Sequence, residues 1–406
     1  MENKSAFSLF FFVTLFTCLA AAIVNNDHIL LPSQLHRDKS PSSSSKCTAP
    51  DPNLNQRPVI GILSNPGDGS SGRLSNSSGV SHIAASYVKF VESGGARVIP
   101  LLYNESPESL KTKLSLTNGL LLTGGSAASG PYLEALQFLF QAALERNDGG
   151  DHFPVLGLNL GGNLLIKIVA DEISAALCLL RSSPNLQELE ILISVGDLGV
   201  SEMVAIVNCD GMQARQEEQT LTITHNYCWE DQADVLEPFN ASSLPSYLQM
   251  WINSLEEGSL YQKFPSDLFQ LLMSECLVLH NHIYAISPYK LQYNKKLSSF
   301  FDILATAADR DGKIFVSTAR GWNYPVTVNL WNPEKNAFEW ATSLKAPHTE
   351  NAIRVTQSSA NFFVSEARKS SNRPDYQAVR DNLIYNYKAS YGGVAGKGYD
   401  QVYLFE

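Results

Sequence analysis

Short apolar runs alternate with helical-period stretches along the middle of the chain. Residues 58–63 (PVIGIL) form a continuous apolar run of buried-strand length, and Ser64–Gly79 is too rich in Gly, Ser and Asn for anything but a loop. Ile83, Ala84, Tyr87, Val88 and Val91 recur at helical spacing, and Gly94–Gly95 stop that helix. The pattern then predicts a strand over Arg97–Leu102, a short helix over Pro107–Leu114 and a strand over Gly119–Leu122. A helix over Tyr132–Arg146 and a strand over Val155–Leu158 follow, and the latter runs directly into a helix reaching Ala170. In the C-terminal half, strands are predicted over Ser274–His280, Phe300–Ala305, Lys313–Thr318 and Tyr324–Leu330, with an amphipathic helix over Asn351–Ser370. Alternation of this kind specifies an α/β fold: three layers, a mostly parallel sheet flanked by helices. Sites in such sheets gather at the C-terminal ends of the strands.

The two ends of the chain carry different signals. Residues 1–22 read as a secretory signal peptide: Lys4, an apolar stretch from Ala6 to Leu19, then Ala20–Ala22 as small residues before cleavage. Residues 23–56 are expected to be a flexible segment. Secretory entry gives meaning to three sequons, at Asn76, Asn104 and Asn240, as glycosylation sites. Five cysteines remain after the signal, an odd number, so at least one thiol is free or pairs between chains. No Cys/His cluster at zinc spacing occurs, and no metal or cofactor is expected. No second apolar run is long enough for a membrane span. With 30 Lys+Arg against 40 Asp+Glu the net charge is −10, which disfavours nucleic acid as a partner.

The chemistry concentrates at Gly157-Leu-Asn159-Leu-Gly161. A G-x-nucleophile-x-G tract between a buried strand and a helix is a nucleophile elbow: the glycines permit a tight turn, and the central side chain stands above the sheet. The N–H of the following residue, Leu160, faces a developing oxyanion. Here the central residue is Asn, where the pattern calls for Ser or Cys.

The surrounding tracts resemble plant gamma-glutamyl hydrolases, enzymes of the class I glutamine amidotransferase-like (flavodoxin-like) fold that trim folate polyglutamates. They include RPVIGILSNPGDGSSGRLSNSSGV from Arg57, LLTGGS from Leu121, HFPVLGLNLGGN from His152, NHIYAISPY from Asn281, YPVTVNLWNPEKNAFEWA from Tyr324 and GKGYDQVYL from Gly396. The resemblance implies one domain over 57–373 and a tail over 374–406. It implies that Asn159 stands at the nucleophile position and Asn332 at the general-base position. Glu334 matches the carboxylate that orients the base. His282 matches a substrate-side histidine, and the backbone of Gly124, Gly125 and Leu160 matches the oxyanion donors. An Asn side chain offers no nucleophilic lone pair and does not titrate near neutral pH. Loss of a nucleophile or base costs on the order of 10⁶ in turnover, non-additively. Gly162 and Asn163 also depart from the family's aromatic and acidic residues, and Ser126 and Ala128 from its Trp and Lys.

The family pattern stops over about 172–231. Within that interval Ala176–Leu192 resembles a leucine-rich segment of plant F-box proteins of the FBD type, which suggests a captured exon, a mis-spliced or wrongly assembled stretch, or a true lobe. The expected function is that of a catalytically impaired paralogue that binds a folate polyglutamate or other gamma-glutamyl ligand, as a homodimer or as a heterodimer with an active paralogue. Its expected location is the vacuole or the extracellular space and cell wall. The alternatives are an active hydrolase and a decayed or wrongly assembled gene product.

Overall fold

The computed structural model describes residues 49–67, 81–181, 188–193, 203–208, 211–216, 219–223, 235–241, 250–252, 258–391 and 399–405. The signal-peptide reading, the sequon at Asn76 and most of the 23–56 segment lie outside them.

Eight strands build the central sheet: β1 (Val59–Leu63), β2 (Arg97–Leu101), β3 (Gly119–Leu122), β4 (Val155–Leu158), β5 (Met250–Ile252), β6 (Phe301–Ala308), β7 (Ile314–Gly321) and β8 (Val326–Asn329). Their order is β5-β6-β7-β8-β4-β3-β1-β2. The five strands from β8 to β2 run parallel, and β5, β6 and β7 complete the other edge antiparallel. β1, β3 and β4 are buried at every residue, which is why they read as continuous apolar runs rather than alternating ones.

Successive strand residues feed two different cores. Val59, Leu63, Leu120, Leu122 and Val155 pack with Leu136, Leu139 and Phe140 of helix Pro131–Asp148 and with Leu165 of helix Leu160–Arg181. Ile60, Ile62, Leu121, Leu156 and Leu158 face the other way. They meet Tyr87, Val88 and Phe90 of helix Ala85–Ser93 and Phe363 and Val364 of helix Glu350–Arg368. This is the three-layer α/β arrangement the alternation predicts. Helix starts are fixed by side-chain caps: Ser106 accepts from Ser109 N, Thr349 from Ala352 N and Asp375 from Ala378 N.

Two elements differ from their sequence-based expectation. Ile83 and Ala84 belong to a strand, Ser81–Ala84, that pairs with Gln401–Phe405 and Asn65–Pro66, and the helix begins only at Ala85. The segment 275–281 is buried at Leu277, Val278 and Leu279 but joins no ladder. The strand there is His282–Ala285, paired with Glu237–Ala241. The tail is not detached: helix Tyr376–Asn382 and strands Ala389–Tyr391 and Gln401–Phe405 pack on the same unit, Pro52–Glu406. Within the 172–231 interval, Glu188–Ile193, Met203–Asn208, Gly211–Gln216 and Gln219–Ile223 form a sequential antiparallel sheet of four strands. The leucine-rich Ala176–Leu192 tract thus spans the end of helix Leu160–Arg181 and the first of these strands. Among the described residues no helix is long and apolar enough to cross a membrane.

Candidate active site

The elbow forms at the C-terminal end of β4. Asn159 has φ of +50°, a left-handed posture that few L residues tolerate, and its N–H donates to Asn329 O of β8 at 2.8 Å. The flanking glycines are required by close approach. A Cβ on Gly161 would lie 2.4 Å from Leu122 O, and one on Gly157 would lie 2.9 Å from the Gly162 Cα. Without those side chains the first turn of the 22-residue helix Leu160–Arg181 sits directly on the sheet.

Three residues brought together from distant parts of the chain form a hydrogen-bonded relay. Asn159 Nδ2 donates to Asn332 Oδ1 at 2.9 Å and to Asn281 O at 2.8 Å. Asn332 Nδ2 donates to Glu334 Oε1 at 3.0 Å. Asn332 is 1% exposed and Glu334 fully buried, whereas Asn159 is half-buried at the mouth. Burial pushes the Glu334 carboxyl above its ordinary range, against the opposing pull of Lys335, Asn332 and Tyr87. The relay has the connectivity of a nucleophile, a base and an orienting acid, but its first two members are carboxamides. Both amide protons of Asn159 are engaged, so its Oδ1 is the atom left for a ligand, as an acceptor.

Gly124 and Asn159 adjoin: a Cβ on Gly124 would stand 3.4 Å from the Asn159 Cβ. The Gly124 N–H is already donated, to the hydroxyl of the buried Tyr87 at 3.1 Å. Among the described residues the N–H groups of Gly125 and Leu160 make no such bond. Of the three N–H groups expected to serve an oxyanion, these two are the ones left unengaged among the described residues. Asn65 fixes the Gly pair by donating to Thr123 Oγ1 and Gly124 O.

His282 is 5% exposed, and neither ring nitrogen reaches a hydrogen-bond partner, although the Tyr284 backbone lies close by. Burial pushes its pKa down to about 4, so the imidazole is neutral through the physiological range. Its ring packs edge-on against Phe315 and His280. His280 accompanies it, likewise depressed by burial and paired to Ser317 Oγ at 3.0 Å. Asn163 ties the elbow helix to this strand by donating to Tyr284 O at 2.8 Å. A Cβ at Gly162 would meet Val328 Cγ1 at 2.7 Å, so the Val328 side chain of β8 packs directly on the helix backbone there. Ser126 and Ala128 are exposed.

Of the sequons, Asn104 is exposed and Asn240 lies in strand Glu237–Ala241. Cys276 is a free thiol. Among the described residues no group of three or more His, Cys, Asp or Glu is placed to hold a metal ion. The residues that sequence reasoning did not single out are Tyr87 and Asn281. Tyr87 read only as a core position of its helix, and Asn281 acts through a contact with Asn159, 122 residues away; Asn163, read only as a departure from the family's acidic residue, works through Tyr284.

A mostly parallel three-layer sheet with an elbow at a strand end, beside a buried relay, defines an α/β protein of the nucleophile-elbow class. The peptidase C26 family model matches residues 58–137. The chain is 62% identical over 406 residues to "Gamma-glutamyl hydrolase" of Glycine max, covering 100% of both chains. It is 45% identical over 380 residues to "Gamma-glutamyl hydrolase 1" of Arabidopsis thaliana, covering 94% of this chain and 91% of that one. It is 31% identical over 356 residues to "Gamma-glutamyl hydrolase" of Mus musculus, covering 86% and 90%. The chain belongs to the plant gamma-glutamyl hydrolases.

Proposed function

We propose that this chain is a catalytically impaired gamma-glutamyl hydrolase paralogue of the secretory pathway, vacuolar or extracellular, that binds a gamma-glutamyl ligand such as a folate polyglutamate or pairs with an active subunit. The observation that carries this reading is the 2.9 Å bond from Asn159 Nδ2 to Asn332 Oδ1. Hydrolysis by this architecture needs a sulfur to attack the carbonyl and an imidazole to pass its proton to the leaving amine. A resonance-delocalised carboxamide does neither. What the site retains is recognition: the Gly125 and Leu160 N–H groups, the Asn159 Oδ1 acceptor and a neutral His282 nearby.

The second reading is an active hydrolase, favoured by 62% identity to a relative of that name. One assay separates the two: cleavage of a gamma-linked polyglutamate by the purified full chain beside Asn159→Cys/Asn332→His. The expected result is no turnover by the natural sequence and measurable turnover by the double variant. Cleavage by the natural sequence, or a covalent acyl adduct on it, overturns the proposal. A chain that shows no cooperative unfolding transition supports the decayed-product alternative.

A further inference from the structure

A cavity of about 260 Å³ opens at the end of the sheet away from the elbow. It lies between the turn Trp322–Pro325 that joins β7 to β8, residues 152–155, residues 258–260 and helix Glu350–Arg368. Val155 and Val326, the first residues of β4 and β8, line it, whereas Asn159 follows the last residue of β4. A four-residue strand rising about 3.3 Å per residue puts roughly 13 Å between this cavity and the elbow. The cavity is therefore separate from the carboxamide relay.

The charged side chains of its wall are already matched. Arg320 Nε donates to Asp302 Oδ2 at 3.3 Å. The buried Glu366 pairs with His152 Nε2 at 2.8 Å and accepts from Lys369 Nζ at 2.6 Å. A charged ligand would have to displace one of these partners, so the wall favours a neutral one. The other polar groups are uncharged: Ser259 and Thr327, both buried, and Asn323 at the exposed rim. Ser259 is 2% exposed, and its Oγ is buried without a hydrogen-bond partner. A hydroxyl left in that state is costly, and the cavity it lines is the side from which a partner can enter. Trp322 supplies a flat surface. It is 51% exposed, yet it is anchored: its indole N–H donates to Ser298 O at 3.3 Å, and Arg320 Cζ stands 5.6 Å from its ring centroid. A fixed indole beside hydroxyls and a carboxamide matches a ligand with an apolar C–H face and a rim of hydroxyls. The volume lies just below the ~300–1,000 Å³ of drug-sized ligand pockets, which suits one ring.

We propose that this cavity binds a single neutral pyranose ring, stacked on Trp322 and bonded to the Ser259 hydroxyl, with Thr327 and Asn323 meeting further hydroxyls of the sugar. The ligand is a monosaccharide unit, free or at the end of a glycan. This goes beyond the functional reading above and does not depend on it, since no residue of the elbow or the relay takes part.

NMR titration of the full chain with the methyl glycosides of glucose, galactose, mannose, xylose and N-acetylglucosamine is the test, read at the Trp322 indole N–H. At least one glycoside is expected to bind with a dissociation constant on the order of 1 mM, the level that a ligand of about a dozen heavy atoms reaches at ordinary efficiency. Ser259→Ala is expected to weaken that binding about two- to tenfold while the melting temperature stays level or rises, because the deleted hydroxyl has no partner in the free protein. A purely structural serine would leave the affinity untouched. Trp322→Ala is expected to cost about tenfold, and Trp322→Tyr, which keeps a ring and guards against a misfolded turn, to retain part of the affinity. Maltose and cellobiose separate the two sources: binding as tight as that of the glycoside assigns the cavity to a glycan end, and exclusion assigns it to the free sugar. The proposal is overturned if none of the glycosides shifts the Trp322 signal, if the affinity survives Ser259→Ala or Trp322→Ala, or if benzoate or glutamate displaces the sugar.

Discussion

Asn332→Ala tests whether the carboxamide relay is a structural unit. The substitution removes the acceptor of Asn159 Nδ2 and the donor to Glu334 Oε1. Glu334 is fully buried, and its Oε2 already lacks a hydrogen-bond partner. Losing a hydrogen bond to a buried, ionisable carboxyl costs about 1.5–3 kcal/mol, and the half-buried Asn159 pairing adds about 1. The expected loss is about 3 kcal/mol at pH 8. For a unit of this size, roughly 2 °C per kcal/mol gives a fall in melting temperature of about 6 °C. The loss should depend on pH, with a definite sign. The folded-state pKa of Glu334 is raised by burial, so the stability linked to its neutral form is full below the unfolded value and drains away as pH rises through the folded one. Removing Asn332, which favours the ionised form, raises the folded value further. The variant should therefore lose more at pH 8 than at pH 5. In a Glu334→Gln background the penalty should shrink by about 1–2 kcal/mol, the coupling read by a double-mutant cycle. Thermal unfolding at the two pH values is the assay. A fall below about 1 °C would show that the relay stabilises nothing, and an equal fall at both would refute its link to Glu334 ionisation.

Three further outcomes are expected. Asn159→Cys and Asn332→His singly should each remain without turnover of a gamma-linked polyglutamate, since losses within a nucleophile–base unit are not additive; activity in either single variant would break that logic. Gly161→Ala should destabilise by about 1–3 kcal/mol in urea titration, because its Cβ would stand 2.4 Å from the Leu122 carbonyl; a neutral result would mean that the elbow can retreat from the sheet. Tyr87→Phe should cost about 1–2 kcal/mol, since it strips the buried Gly124 N–H of its acceptor, and should speed exchange of that amide.

The sheet was legible because β1, β3 and β4 are buried on both faces and so appear as unbroken apolar runs between turn residues. Ile83 and Ala84 misled because helical spacing is a local signal, whereas their own strand partners are Tyr403 and Val402, more than 300 residues away. Leu277–Leu279 misled for the opposite reason. Their burial is real, but their backbone serves the relay instead of a ladder, with Leu279 O accepting from Asn332 N at 2.9 Å. Gly157 and Gly161 between a buried strand and a helix outlined the elbow, and the resemblance of the surrounding tracts gave that outline its weight. That residue 332 belongs beside it could not be read from spacing and came only from the resemblance of whole tracts, and the part of Asn281 was not read at all. The engagement of the Gly124 N–H by Tyr87 left no trace in the sequence, because a tyrosine at a core position of a helix looks the same whether or not its hydroxyl has a task.

The torsion at position 159 bears on which side chains the elbow holds without strain. Apart from glycine, asparagine and aspartate are the residues that enter left-handed backbone space most readily. A cysteine there would hold the same turn under local strain of roughly 1 kcal/mol, and would also give up the two amide bonds that now stitch the crest to residues 281 and 332. Asparagine at this spot relaxes the scaffold, and a cysteine put in its place would exchange a rigid crest for a reactive one.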